Sequence, residues 1–79
     1  MMWSVYILKC KDGSLYTGIT NNLKKRFSDH QNGKGGRYTR SHKPVKVLYS
    51  ERYATKSKAL RREFQIKSLS RKKKLQLMA

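Results

Sequence analysis

The chain has 79 residues, enough for one core, and its hydrophobic share of 37% includes Trp3, five Tyr and two Phe, which excludes a disordered basic tail. Twenty Lys and Arg against four Asp and Glu leave a net charge of +16. The expected partner is therefore a polyanion, and no segment pairs a long apolar face with a basic one as a membrane surface would require.

Cys10 is the lone cysteine, so an internal disulfide and a cysteine-based zinc site are both excluded, and a reducing, cytoplasmic setting is expected. Residues 1–8 are apolar but lack the basic flank and cleavage site of a leader, and no run reaches membrane-spanning length. Residues 3–10 (WSVYILKC) instead read as a first strand, rich in β-branched and aromatic residues and apolar on both faces. Lys11-Asp12-Gly13 is a turn signal, and 15–20 (LYTGIT) is the returning strand. A three-residue loop with Gly13 left-handed sets Tyr6 opposite Gly18 and Leu8 opposite Tyr16, so both tyrosines share a face; a two-residue loop would separate them.

Asn21 or Asn22 caps a helix over about 23–30, whose apolar stripe is Leu23 and Phe27, with Arg26 and His30 flanking it. Residues 33–43 (GKGGRYTRSHK) read as a glycine-rich basic loop, and 45–53 as a third strand. Thr55 caps a helix to about Ser68, with Ala59, Leu60, Phe64 and, as a further candidate, Ile66 turned inward. Residues 70–78 form a short basic helix or a tail. The order β-β-α-β-α-α predicts an α+β fold, a small three-stranded antiparallel sheet flanked by helices in one domain.

Few of these residues suit chemistry, and they recur at telling intervals: Tyr6 and Tyr16, then Arg26 and His30, then Glu63, one of only four acids. Phenols, a guanidinium, an imidazole and a carboxylate in so cationic a chain suggest phosphodiester chemistry with a metal. Ser4-Val5-Tyr6, Tyr16-Thr17-Gly18, Asn22-Leu23 with Arg26 and His30, and Glu63 on a later helix together resemble the GIY-YIG nuclease superfamily. Residues 33–40 and 66–77 look more specifically like its small stand-alone bacterial members. Ser-Val stands before Tyr6 where the family name has Gly-Ile. No Asn follows Asn32, although many relatives carry one after the metal-binding glutamate; Gln65 and Gln76 offer the later side-chain amides.

The resemblance implies a Mg²⁺-dependent DNA endonuclease using one divalent ion. Tyr6 and Tyr16 are then placed beside the attacking water, Arg26 and His30 near the phosphate, and Glu63 on the metal. Each role has a physical rationale. Mg²⁺ or Mn²⁺ on a single carboxylate completes its shell with water and phosphate, so binding is expected to be weak without nucleic acid. A fixed guanidinium at Arg26 suits the charge of a pentacovalent transition state. Tyr6, Tyr16 and His30 are the open choices for the base, with metal and arginine charge expected to lower a phenol's pKa. Lys34, Arg37, Tyr38 and Arg40 are expected nucleic-acid contacts, Tyr38 by stacking on a base, while His42 reads as a plain loop residue. DNA is expected ahead of RNA. A binding module that kept the scaffold without turnover, and a small RNA- or ribosome-associated basic protein, are the alternatives.

Overall fold

β1 (Trp3–Cys10) buries four consecutive side chains, Val5, Tyr6, Ile7 and Leu8, as a strand covered on both faces does. In this computed structural model, which describes residues 2–78, β1 is the middle strand of a sheet of order β2-β1-β3. β2 (Leu15–Thr20) and β3 (Pro44–Tyr53) both run antiparallel to it. Gly13 adopts φ 88°, its N–H donates to the Cys10 carbonyl at 2.9 Å, and the Cys10 N–H donates to Ser14 O at 2.9 Å. The expected three-residue loop therefore forms, with Tyr6 opposite Gly18 and Leu8 opposite Tyr16.

Pleating divides β1 between two layers. Val5 and Ile7 join Ala59 and Ile66 in the main apolar cluster, under α3 (Lys56–Lys67). Tyr6 points the other way, to His30 of α1 (Leu23–Gln31). Of the two candidate caps, Asn22 accepts from the Lys25 N–H; Thr55 and Ser70 do the same for α3 and for the terminal helix (Arg71–Gln76). The glycine-rich segment is not wholly loop. A five-residue helix, α2 (Arg37–Ser41), forms inside it, which makes the terminal helix α4.

One expectation about α3 is corrected. Leu60 and Phe64 do not turn inward: they are 45% and 74% exposed, while Ala59 and Ile66 are fully buried. An ion pair sets the roll. Register pairs Trp3, Val5 and Ile7 with Tyr53, Glu51 and Tyr49, so these β3 residues line the α3 face of the sheet. There Glu51 accepts two hydrogen bonds from Arg62, at 2.9 and 3.1 Å, and one each from the Tyr49 and Tyr53 hydroxyls. Burial works against the Glu51 charge, but Arg62 and the two phenols outweigh it and hold the carboxyl down to about 2. With Arg62 anchored at β3, the small Ala59 faces the sheet and lets the helix approach closely.

Candidate functional site

The Tyr6 hydroxyl lies 2.8 Å from His30 Nε2, and His30 Nδ1 lies 2.8 Å from Thr39 Oγ1, so three buried polar groups form one line from β1 through α1 to α2. The line works in either tautomer. With Tyr6 donating to Nε2, the Nδ1–H donates to Thr39; with Nε2 protonated, the Thr39 hydroxyl donates to Nδ1. Burial lowers the His30 pKa, the Arg26 charge lowers it further, and Asp29 opposes both. The resting imidazole is neutral.

Glycines allow this close approach. A Cβ on Gly18 would lie 2.6 Å from the Tyr6 hydroxyl and 3.2 Å from the Tyr16 ring. One on Gly35 would lie 2.0 Å from His30 Nδ1, so this loop residue packs directly against the imidazole. The Gly35 carbonyl also accepts from Arg26 Nη2 at 2.9 Å, which fixes the guanidinium beside the phenols while leaving most of its five donors to other partners. A depression of ≈ 170 Å³ lined by Thr20, Asn22, Lys25, Arg26 and Asp29 opens next to it.

Tyr6 and Tyr16 are neighbours, with ring centroids 6.4 Å apart, and Tyr16 stands edge-on to His30 at 5.0 Å. Burial and the adjacent Tyr16 push the Tyr6 pKa up to about 12; Arg26 pulls it back and Glu63 adds a smaller upward push. The expected lowering by arginine is real, but burial outweighs it in the free protein. Glu63, the smallest of these influences on the phenol, comes from α3 on the other face of the sheet from α1.

Glu63 is 18% exposed and pairs with Lys67 at 3.4 Å. It owes its position to Ala59 and Ile66, four before it and three after, and not to the Leu60–Phe64 stripe. Among the described residues no three His, Cys, Asp or Glu side chains cluster as a ligand set. One half-buried carboxylate with solvent access still fits Mg²⁺, which accepts one or two carboxylates alongside waters and phosphate oxygens.

Lys34, Arg37, Tyr38 and Arg40 are exposed on α2 and the turn before it. Tyr38 lies flat on His42 at 4.1 Å and stacks on Tyr16 at 5.8 Å. His42 is more than a plain loop residue: its Nδ1–H donates to the Tyr38 carbonyl at 3.0 Å, and its Nε2 is 3.8 Å from Asp12. Thr39 and Gly35 are the members of the site that the sequence did not single out. Thr39 lies nine residues from His30 and on a different helix, so no local spacing links the two.

Residues 2–76 match the family described as the GIY-YIG catalytic domain. A UPF0213 protein of Staphylococcus saprophyticus is 52% identical over 75 residues, covering 95% of this chain and 92% of its own length. One from Clostridium perfringens is 57% identical over 75 residues, covering 95% and 81%. The solution NMR structure of a UPF0213 protein from Bacillus halodurans superposes with a TM-score of 0.61 at 45% identity, covering 98% of this chain and 82% of that one.

Proposed function

The chain belongs to the GIY-YIG catalytic-domain family, and from that premise we propose that it is a divalent-metal-dependent endonuclease that hydrolyses phosphodiester bonds, DNA ahead of RNA. The buried Tyr6–His30–Thr39 line, beside the tethered Arg26 guanidinium, is the observation that carries the reading.

Binding begins with the phosphate. Arg26 pairs with two of its oxygens, and Lys34, Arg37 and Arg40 hold neighbouring phosphates of the strand. Neutralising the Arg26 charge removes the second of the two influences that depress His30. The imidazole then accepts the Tyr6 proton on Nε2 as the phenol oxygen takes one from the attacking water. Thr39 accepts the Nδ1–H and keeps the ring in line. The hydroxide oxygen bonds to phosphorus, the bond to the leaving oxygen breaks, and Arg26 stabilises the charge on the equatorial oxygens; the leaving oxygen takes a proton from solvent, and His30 releases its extra proton back through Tyr6. Mg²⁺ or Mn²⁺ on Glu63 supplies Lewis acidity to the phosphate when bound. In the free protein Lys67 competes for that carboxylate, which supports weak metal affinity without nucleic acid.

A non-catalytic binding module is the second reading. It is favoured by the Glu63–Lys67 pair and by the lack of any Asn after Asn32. Incubation with single-stranded, duplex and branched DNA, with and without Mg²⁺, separates the two. The nuclease reading expects cutting that Glu63→Ala abolishes and Arg26→Ala lowers by roughly a hundredfold or more, with Glu63→Ala still binding. Binding by every variant with no cutting anywhere establishes the module.

A further inference from the structure

The outer stripe of α3 is the feature the hydrolytic site leaves unused. Phe64 is 74% exposed and Leu60, one turn earlier, is 45% exposed, although an aromatic of this size ordinarily buries its ring. The two flanks of the helix have distinct duties. Arg62 reaches Glu51 on β3, at one edge of the sheet, whereas Glu63, turned about 100° from it, lies on the opposite flank of the buried Ala59–Ile66 face, toward the β1–β2 side that α3 also packs against. Successive helix residues turn by about 100°, so Leu60, Phe64 and Lys67 continue round from Glu63, away from Arg62. The exposed apolar stripe therefore borders the carboxylate on its solvent side.

We propose that Phe64, supported by Leu60, is a stacking platform for an unpaired nucleic-acid base next to the phosphate that Arg26 and Glu63 would hold. This rests on the nuclease reading for the position of that phosphate, and adds the substrate class: strands with unstacked bases, such as single-stranded, flapped or branched DNA, over intact duplex. Three observations choose this occupant. A second copy of the chain would bring another +16 charge against the first, which opposes self-association, and the one carboxylate bordering the stripe, Glu63, is already paired with Lys67. Lys67 lies on the same stripe and already pairs with Glu63, so an arriving phosphate has a cation to meet at the foot of the Phe64 ring. Tyr38 is not equally available, because its ring lies against His42 at 4.1 Å with only 6° between planes. A solvent-exposed aromatic on a cationic surface binds bases through their π-faces whatever their identity.

The test is binding in EDTA, where no strand is cut, so its outcome does not depend on turnover. Fluorescence anisotropy is measured on a labelled single-stranded oligonucleotide, a flapped duplex and a blunt duplex at one fixed salt concentration. Phe64→Ala is expected to weaken the first two by about fivefold to a hundredfold and leave the blunt duplex unchanged. Phe64→Trp retains affinity, and Phe64→Leu, apolar but without a π-face, does not. An equal loss on all three substrates, or no loss on any, overturns the proposal. So does sedimentation showing that the wild type is a dimer that Phe64→Ala splits, since the stripe then covers a second copy. The side chain is largely in solvent, so the variants fold, and far-UV circular dichroism checks that they do. Stacking without any cleavage would leave the platform standing while the nuclease reading fell.

Discussion

Two polar clusters built from tyrosines sit on opposite faces of the same sheet, and they are put together differently. On the α3 face, Glu51 is fully satisfied, with two bonds from Arg62 and one from each of two phenols. On the α1 face, Arg26 gives one N–H to Gly35, and the Tyr6–His30–Thr39 line can take up or pass a proton in either direction. The first cluster has spent its hydrogen-bonding capacity on holding a helix. The second retains donors and a choice of tautomer. Saturation marks a structural cluster, and unspent capacity marks one that can act on a ligand.

The sharpest way to break that contrast is to compare Arg26→Ala with Glu51→Ala. Arg26→Ala is expected to cut single-turnover cleavage by roughly a hundredfold to a thousandfold, the loss typical of one transition-state donor, with little change in melting temperature. Glu51→Ala should do the reverse, leaving the rate per folded molecule near wild type. Equal losses of both kinds in both variants would erase the distinction.

Gly35→Ala comes next, because it tests how tightly the acting cluster is packed. Its Cβ would lie 2.0 Å from His30 Nδ1, so the imidazole must move. An overpacked site of this kind costs about 1–3 kcal/mol, readable by denaturant titration, and cleavage should fall with it as the ring leaves its Tyr6 and Thr39 partners. A variant with unchanged stability would show the loop to be free to shift.

Much of this was legible in the chain, and the reasons are local. Lys11-Asp12-Gly13 marked the hairpin but left a two- or three-residue loop open; the structure takes the three-residue form, which puts Tyr6 and Tyr16 on one face. Thr55, and Asn21 or Asn22, announced their helices because a cap needs only its own first turn, whereas the Ser70 cap decided between the helix and the tail left open for the last residues. What escaped was set by distant contacts. α2 has a glycine N-cap with no side-chain bond and one buried residue, Thr39, too little to show a helical period. Apolar character alone pointed Leu60 and Phe64 inward, but Arg62 meeting Glu51, eleven residues away, fixed the roll of α3. Hydrophobicity proposes a face; a half-buried ion pair can overrule it.

Acid should separate the clusters in steps. His30 has a depressed pKa, so the unfolded chain binds a proton that the folded chain refuses, and stability falls as pH drops below the ordinary 6.5. Glu51, held at about 2, contributes stability that is complete above the ordinary 4.5 and is lost as pH falls from there toward 2. Glu51→Ala is expected to cost about 2 kcal/mol at neutral pH, since Arg62 and two phenols lose a half-buried acceptor. The variant's pH–stability curve should also be flatter below 4.5, while the step near 6.5 survives. Urea titrations across this range read both steps.

The smallest expected effect probes the join between structure and action. Thr39→Val keeps the shape of the side chain and removes the hydroxyl, leaving buried His30 Nδ1 without its 2.8 Å partner. The stability cost is about 1 kcal/mol, that of one unmade buried bond. If Thr39 only filled space, cleavage by the folded protein would not change. As a positioning residue for His30 it should lower kcat about tenfold, with KM unchanged because phosphate binding belongs to Arg26 and the surface cations. Thr39→Ser restores the hydroxyl and should restore kcat, although it leaves a methyl-sized void. A valine variant with full kcat would reduce the line to Tyr6 and His30 and return Thr39 to the structural side of the comparison.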